Sequence, residues 1–187
     1  MTDAINVIHQ DHLNFDRLLT ILENTVRGFA ESYGPEDRKP NLDLLFTIVY
    51  YIRTFPDSIH HPKEEKYLFP ALKKRSPEAE DLIARLEQQH DVGAQKIRDL
   101  CAALEHFDKN FPEGLDDLRK AAEEYAIFQR EHIGLEEREL LPKARACLTS
   151  SDWVAINRAF ADSSHPVLGE NLEVGFQMLF NRAVSDN

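Results

Sequence analysis

Four long segments of this chain carry apolar residues at alternating steps of three and four, the spacing that one face of an α-helix requires. Short loops with proline or glycine separate the segments, and no strand-like alternation competes with them. Because short loops make sequential helices antiparallel, the pattern predicts an all-α protein built as an up-down-up-down four-helix bundle. The four segments are Asp3 to Glu31, Asn41 to Leu72, Ser76 to Phe107 and Leu115 to Arg145.

Beyond the bundle, the sequence predicts one or two additional C-terminal helices. The first is a short helix over Trp153, Ile156 and Phe160, and the second follows Pro166 and spans Leu168 to Ala183. Neither helix is needed to complete a four-helix bundle, so we expect both to pack outside the bundle or in a homodimer contact. The apolar stripe from Leu168 to Ala183 is the candidate for that contact. The prediction is a bundle over residues 1–148 and a helical extension over 149–187, packed on the same domain.

Composition and charge exclude several classes of function. The 187 residues contain 22 Lys and Arg against 33 Asp and Glu, a net charge of -11, and the basic residues do not cluster as a nucleic-acid surface requires. No apolar run approaches the roughly 18 residues that span a bilayer, and no basic, hydrophobic leader precedes Ile8. Cys101 and Cys147 lack disulfide or metal spacing. We therefore expect a cytoplasmic protein without nucleic-acid or membrane partners.

Histidines interrupt the apolar stripes. His12 and His90 each occupy a position where their helix is due an apolar residue, so both are expected to face the bundle interior. In the second segment Pro56 and Pro62 break the pattern, and a proline within a helix removes a hydrogen bond and clashes with the preceding turn. The sequence therefore predicts a kink or local bulge there.

Two segments repeat one another, residues 60–70 and residues 132–142, with the shared pattern H-x-x-x-E-E-x-x-L-[FL]-P. Residues four apart lie on one helix face, so a histidine and a carboxylate at this spacing can reach one metal site. A single match is weak evidence, and His61 with Glu65 makes another. Alignment on the prolines sets the register, which pairs His60 with His132 and Glu64 with Glu136.

Four histidines and two carboxylates inside one core would cost several kcal/mol if they were unpaired, and bound metal would compensate. Imidazole suits iron, zinc and copper, and two carboxylates can bridge a pair of ions in a bundle core. Two bridges and two histidines for each ion leave open positions, where a small ligand such as dioxygen can bind.

These motifs resemble the hemerythrin family, specifically the bacterial hemerythrin-like (HHE cation-binding) proteins, over Asp3 to Leu148. The family pattern is H, then H-x-x-x-E, then H, then H-x-x-x-E over four helices. The resemblance implies two iron ions, Fe2+ or Fe3+, which an oxo or hydroxo group can bridge. It also implies terminal ligands at His12, His60, His90 and His132, and bridging carboxylates at Glu64 and Glu136.

One departure from the oxygen-carrying hemerythrins concerns the third helix, which in that group has a second histidine one turn from the first. Here the positions four away from His90 are Leu86 and Ala94. One iron is therefore expected to be less fully ligated, which favours autoxidation or reaction over simple oxygen carriage. His9, His61 and Tyr125 remain open as replacement ligands or supporting partners. The neighbouring acids Glu65, Glu137 and Glu139 are interpreted as solvated surface residues.

The resulting interpretation is a non-haem di-iron protein that binds dioxygen or a related small ligand, for oxygen sensing or handling. Two alternatives stay open. One is a di-iron redox enzyme acting on peroxide or nitric oxide, or supplying iron in metal-centre repair, and the under-ligated iron favours it. The other is a structural zinc bundle. The sequence does not decide whether the protein is an enzyme.

Overall fold

The computed structural model describes residues 3–32 and 38–161, which form helices joined by short turns. Three π-helical turns, Pro56–His60, Glu64–Leu68 and Glu136–Leu140, and one 3-10 turn, Pro77–Ala79, lie between α-helices. The α-helices are α1 (Ala4–Ser32), α2 (Asp43–Phe55), α3 (His61–Lys63), α4 (Phe69–Arg75), α5 (Glu80–Asn110), α6 (Leu115–Leu135), α7 (Leu141–Cys147) and α8 (Ser150–Ala161).

The helices assemble into four rods. The π turns join α2, α3 and α4 into one rod over residues 43–75, and α6 and α7 into another over residues 115–147. Helix α1 packs against α2 and α6, and α5 packs against the same two helices, so neighbours in sequence are neighbours in space. The predicted all-α, up-down-up-down bundle is confirmed. None of the described helices combines the length and the apolar character that crossing a membrane needs.

Each π turn ends two residues before a proline: Pro62, Pro70 and Pro142. A proline has no N–H, and its ring clashes with the carbonyl four residues earlier. That carbonyl belongs to the central residue of the preceding π turn in all three cases, and the wider turn accommodates the ring. The backbone N–H of Phe69 accordingly donates to the Glu64 carbonyl, five residues back, and Leu141 does the same to Glu136. The predicted bulge in the second rod is confirmed.

The apolar side chains form two separate buried clusters along the bundle axis. One is built from residues 15–26, 42–52, 97–107 and 118–126. The other is built from residues 4–8, 68–86 and 135–160. In α1, His12 lies between Ile8 of the second cluster and Phe15 of the first, and in α5 His90 lies between Leu86 and Ile97. A polar layer therefore crosses the interior between two apolar cores.

Helix α8 is the first of the predicted C-terminal helices and packs on the bundle beside this layer. It contacts α1, α3 and the π turn Glu64–Leu68. Its buried Phe160 presents an edge to the His60 ring, with 6.4 Å between centroids. Arg75 donates two hydrogen bonds to Asp152, at 2.8 and 3.1 Å, and thereby ties the start of α8 to α4. The predicted last helix and dimer contact over Leu168 to Ala183 lie outside the described residues, and the division of the chain at residue 148 remains a prediction.

Candidate metal centre

The six predicted ligand residues are all buried, and their donor atoms converge in the polar layer. The donors form two groups, in each of which the potential ligand atoms lie within 4.8 Å of one another. The first group is His12, His60, Glu64 and Glu136, and the second is His61, His90 and His132. The structure thus brings together residues from all four rods and adds one residue that the sequence register did not select.

Each glutamate turns one carboxylate oxygen towards each group. Oε1 of Glu64 lies 3.5 Å from Nε2 of His60, and Oε2 lies 3.7 Å from Nε2 of His90. Oε2 of Glu136 lies 3.0 Å from Nε2 of His12, and Oε1 lies 3.4 Å from Nε2 of His132. Both carboxylates therefore span the two groups, as carboxylates that bridge two cations do.

The donor atoms facing this centre are not satisfied by the protein. Nε2 of His12, His90 and His132 and all four carboxylate oxygens of Glu64 and Glu136 are buried and make no hydrogen bond among the described residues. Although His12 and Glu136 approach each other closely, their geometry is not that of a hydrogen bond. Buried polar atoms are normally paired, and leaving one unpaired costs about 1–3 kcal/mol. Seven such atoms in one layer fit a pair of cations, and imidazole with carboxylate is a donor set that iron and zinc accept.

A second set of contacts holds the opposite edge of these imidazoles. In each case Nδ1 faces a side-chain oxygen, so an Nδ1–H can donate while Nε2 stays free for a metal. Glu65 and Glu137 lie at the surface as expected, 47% and 29% exposed, but each also makes such a contact, which the sequence did not indicate. The pairs are His12 with Glu137 at 2.7 Å, His60 with Asp11 at 3.1 Å, His90 with Glu65 at 2.7 Å and His132 with Gln89 at 3.1 Å.

His61 is the residue that the sequence analysis left undecided and that the structure places in the centre. Its ring stacks on that of His90, with 3.8 Å between centroids and 9° between planes. Adjacent residues in a regular α-helix point about 100° apart, so His60 and His61 would not both be assigned to one interior face. His60 is the last residue of one π turn, where the helix is wider, and His61 begins the short helix α3 between that turn and the next; both are buried. The prolines that accompany these turns were the available sequence signal.

The other two open residues lie elsewhere. His9 is exposed at the rim, and its Nδ1 lies 3.1 Å from Oε1 of Glu137. Tyr125 is buried, and its hydroxyl accepts a hydrogen bond from Nε2 of Gln129 at 3.1 Å. Neither belongs to the two groups of converging donors. Among the described residues, His61 is thus the one of the three that belongs to a group of converging donors.

Burial and neighbouring charges shift the pKa values of the groups in this centre in opposite directions. Burial lowers the pKa of His132 to about 4, and it also holds the pKa of His61 well below the ordinary value. Burial lowers the pKa of His12 as well, but contacts with Glu136 and Glu137 outweigh this effect and raise it to about 9. Burial, together with the charge of Glu136, raises the pKa of Glu64. Without metal the layer thus retains protons that bound cations would displace.

A cavity of about 20 Å³ borders the centre. Histidines of both groups line it, His12 and His60 of the first and His61 and His132 of the second, together with Glu136. A space of this size holds about one water molecule. The cavity is therefore suited to a ligand of a few atoms and too small for a metabolite.

Comparison with known proteins agrees with this architecture. The family model described as the hemerythrin HHE cation binding domain matches residues 3–144. A protein of Haemophilus influenzae (strain ATCC 51907 / DSM 11121 / KW20 / Rd), described only as uncharacterized, is 29% identical over 148 residues, which cover 79% of this chain and 80% of the relative. The matched range contains every residue of both donor groups.

Proposed function

This chain belongs to the hemerythrin HHE cation-binding family, and from that premise we propose that it holds two iron ions and binds dioxygen or a related small ligand, for oxygen sensing or handling. The observation that carries the proposal is the set of seven buried donor atoms that face one layer without a hydrogen-bond partner among the described residues. Bound iron would supply electrons that the side chains themselves cannot provide.

The two donor groups support a division of the ligands between the two ions. His12 and His60 would hold one ion, and His61, His90 and His132 would hold the other. Glu64 and Glu136 would give one carboxylate oxygen to each ion. The first ion would then have four protein donors and the second five, so the first has more positions free for a ligand.

The small cavity provides space for such a ligand beside the proposed pair of ions. It borders histidines of both groups, His12 and His60 of the first and His61 and His132 of the second. Phe15 and the buried ring of Phe160 close the surroundings of these histidines with apolar surface. Excluding bulk water from such a site limits side reactions of a bound ligand, which favours its reversible binding.

The position of His61 weakens the argument for a turnover enzyme. That alternative depended on an iron left under-ligated by the absence of a second histidine on the third helix. His61 lies against His90 and within reach of the same centre, so the three-histidine group does not need another residue. Binding, rather than peroxide or nitric oxide turnover, is the function that the donor arrangement supports best.

Metal analysis and gas binding test this proposal. Protein purified from iron-supplemented cells is expected to contain two irons per chain. After anaerobic reduction, mixing with dioxygen is expected to produce a new visible absorption band, which should disappear when the gas is removed or the protein is reduced again. Protein loaded with zinc is the control and should show no band. Stoichiometric zinc without iron, or sustained oxygen release from peroxide, would contradict the proposal and support the structural or the enzymatic alternative respectively.

A further inference from the structure

The repeated motif contains a second glutamate whose contacts differ from those of the first. In each copy the first glutamate, Glu64 or Glu136, is fully buried and turns its oxygens to the centre. The second glutamate reaches a histidine on a different helix: Glu65 contacts His90 of α5, and Glu137 contacts His12 of α1, both at 2.7 Å. Neither Glu65 nor Glu137 is among the converging donors.

The geometry of these contacts determines which nitrogen faces the metals. A carboxylate beside Nδ1 accepts a hydrogen bond from the Nδ1–H. The ring proton therefore stays on Nδ1, and Nε2 is left unprotonated and able to bind a metal. The same hydrogen bond fixes the rotation of the imidazole about its side-chain bonds. Nε2 of both His12 and His90 is the buried atom that faces the carboxylates of Glu64 and Glu136. The second glutamate of each motif thus orients a histidine, whereas the first glutamate faces the cations.

Each second glutamate pairs with a histidine from a helix that lacks the repeated motif. Helices α1 and α5 each provide a single histidine to the centre, whereas the other two rods provide the repeated motifs. Each single histidine is held by the second glutamate of one motif, and each motif holds a histidine of a different donor group. Glu65 is 47% exposed and Glu137 29% exposed, so both lie at the rim, where an acid can approach a ring edge without a large desolvation cost.

We propose that Glu137 and Glu65 are positioning residues, one for each metal site: Glu137 aligns His12 in the two-histidine group, and Glu65 aligns His90 in the three-histidine group. Each copy of the repeat then provides a histidine ligand, a glutamate that bridges the two ions and a second glutamate that aligns a histidine of another helix. This proposal rests on the proposed metal pair, and it adds a role for residues that bind no ion themselves.

The test compares Glu137→Ala and Glu65→Ala with Glu139→Ala, an exposed glutamate in the same repeat. Ferrous ion titrations are expected to show affinity weaker by about 10- to 100-fold for the first two variants, and unchanged affinity for the third. Glutamine keeps an acceptor oxygen, as Gln89 provides for His132, so Glu137→Gln and Glu65→Gln are expected to recover most of the loss. Equal losses in the alanine and glutamine variants would overturn the alignment by hydrogen bonding.

A second readout separates alignment from general destabilisation. Nitrogen-15 NMR of histidine rings in the zinc-loaded protein reports which ring nitrogen carries the proton. Glu137→Ala is expected to shift the ring signals of His12 and leave those of His90 in place, and Glu65→Ala is expected to do the reverse. Circular dichroism of the metal-free variants checks that each folds. If the wild-type chain binds no metal pair, the proposed function fails; if it binds the pair and both variants behave like Glu139→Ala, only the alignment proposal fails.

Discussion

Replacing Glu64 with glutamine is expected to stabilise the metal-free protein while it removes the metal pair. Glu64 is fully buried, and its charge is disfavoured by burial and by Glu136, which is why the pKa of its carboxyl is raised. A carboxyl whose pKa is raised in the folded state destabilises that state above its unfolded pKa, so its replacement is expected to raise the free energy of unfolding at neutral pH. The same change replaces one carboxylate oxygen by an amide NH2, which does not coordinate, so the side chain no longer bridges both ions. Affinity for ferrous ion is therefore expected to fall by roughly 100-fold or more, beyond the loss typical of residues that only orient ligands.

Urea unfolding with and without ferrous ion measures both effects in one experiment. Wild-type protein should gain a large increase in its unfolding midpoint when metal is added, because a ligand that binds only the folded state stabilises it. Glu64→Gln should start from a higher midpoint and gain little. The exposed variant Glu139→Gln should follow the wild type in both respects. A Glu64→Gln protein that is destabilised without metal, or that retains the full metal-dependent gain, would contradict the assignment of Glu64 as a buried bridge.

Replacing His61 with alanine is expected to reduce the bound iron from two ions per chain to one. His61 belongs to the three-histidine group, and its loss leaves His90 and His132 with the bridging oxygens. It also removes the ring stacked on His90, so the remaining imidazole is less well held. The matched control is His106→Ala, because His106 is exposed, lies outside both groups and contacts Asn110 at the far end of α5.

Iron analysis after desalting distinguishes the outcomes for this variant. His106→Ala should retain two ions, and His61→Ala should retain one, with the dioxygen-dependent absorption band lost. Two tightly held ions in His61→Ala would show that the centre is complete without this residue. The predicted ligand set of six would then be sufficient, and the stacking of His61 on His90 would be a packing contact.

The rods and the six candidate ligands could be predicted because their signals are local. The three-four spacing identifies a helix from its own residues, and a histidine in an apolar position, such as His12, is predicted to face the interior. The repeated motif indicates the register of the remaining candidate ligands without any tertiary information. These features need only the period of the helix, which the sequence carries directly.

The remaining parts of the centre depend on geometry that a regular helix does not have. His61 becomes an interior residue only where π turns flank it, and the regular period assigns just one of two adjacent histidines to that face. The roles of Glu65 and Glu137 depend on partners on other helices, so their local sequence context reads as solvated surface. Three prolines at a fixed distance after the π turns were the sequence sign of this irregularity.

X-ray absorption at the iron edge of the fully loaded protein distinguishes a bridged pair of ions from single, separate ions. Two irons per chain are expected, with nitrogen and oxygen donors without sulfur and an iron–iron scattering path of about 3.5–4 Å, the separation typical of paired metal sites. One iron per chain with no metal–metal path would contradict this expectation, because the two carboxylates would then have no pair of ions to bridge.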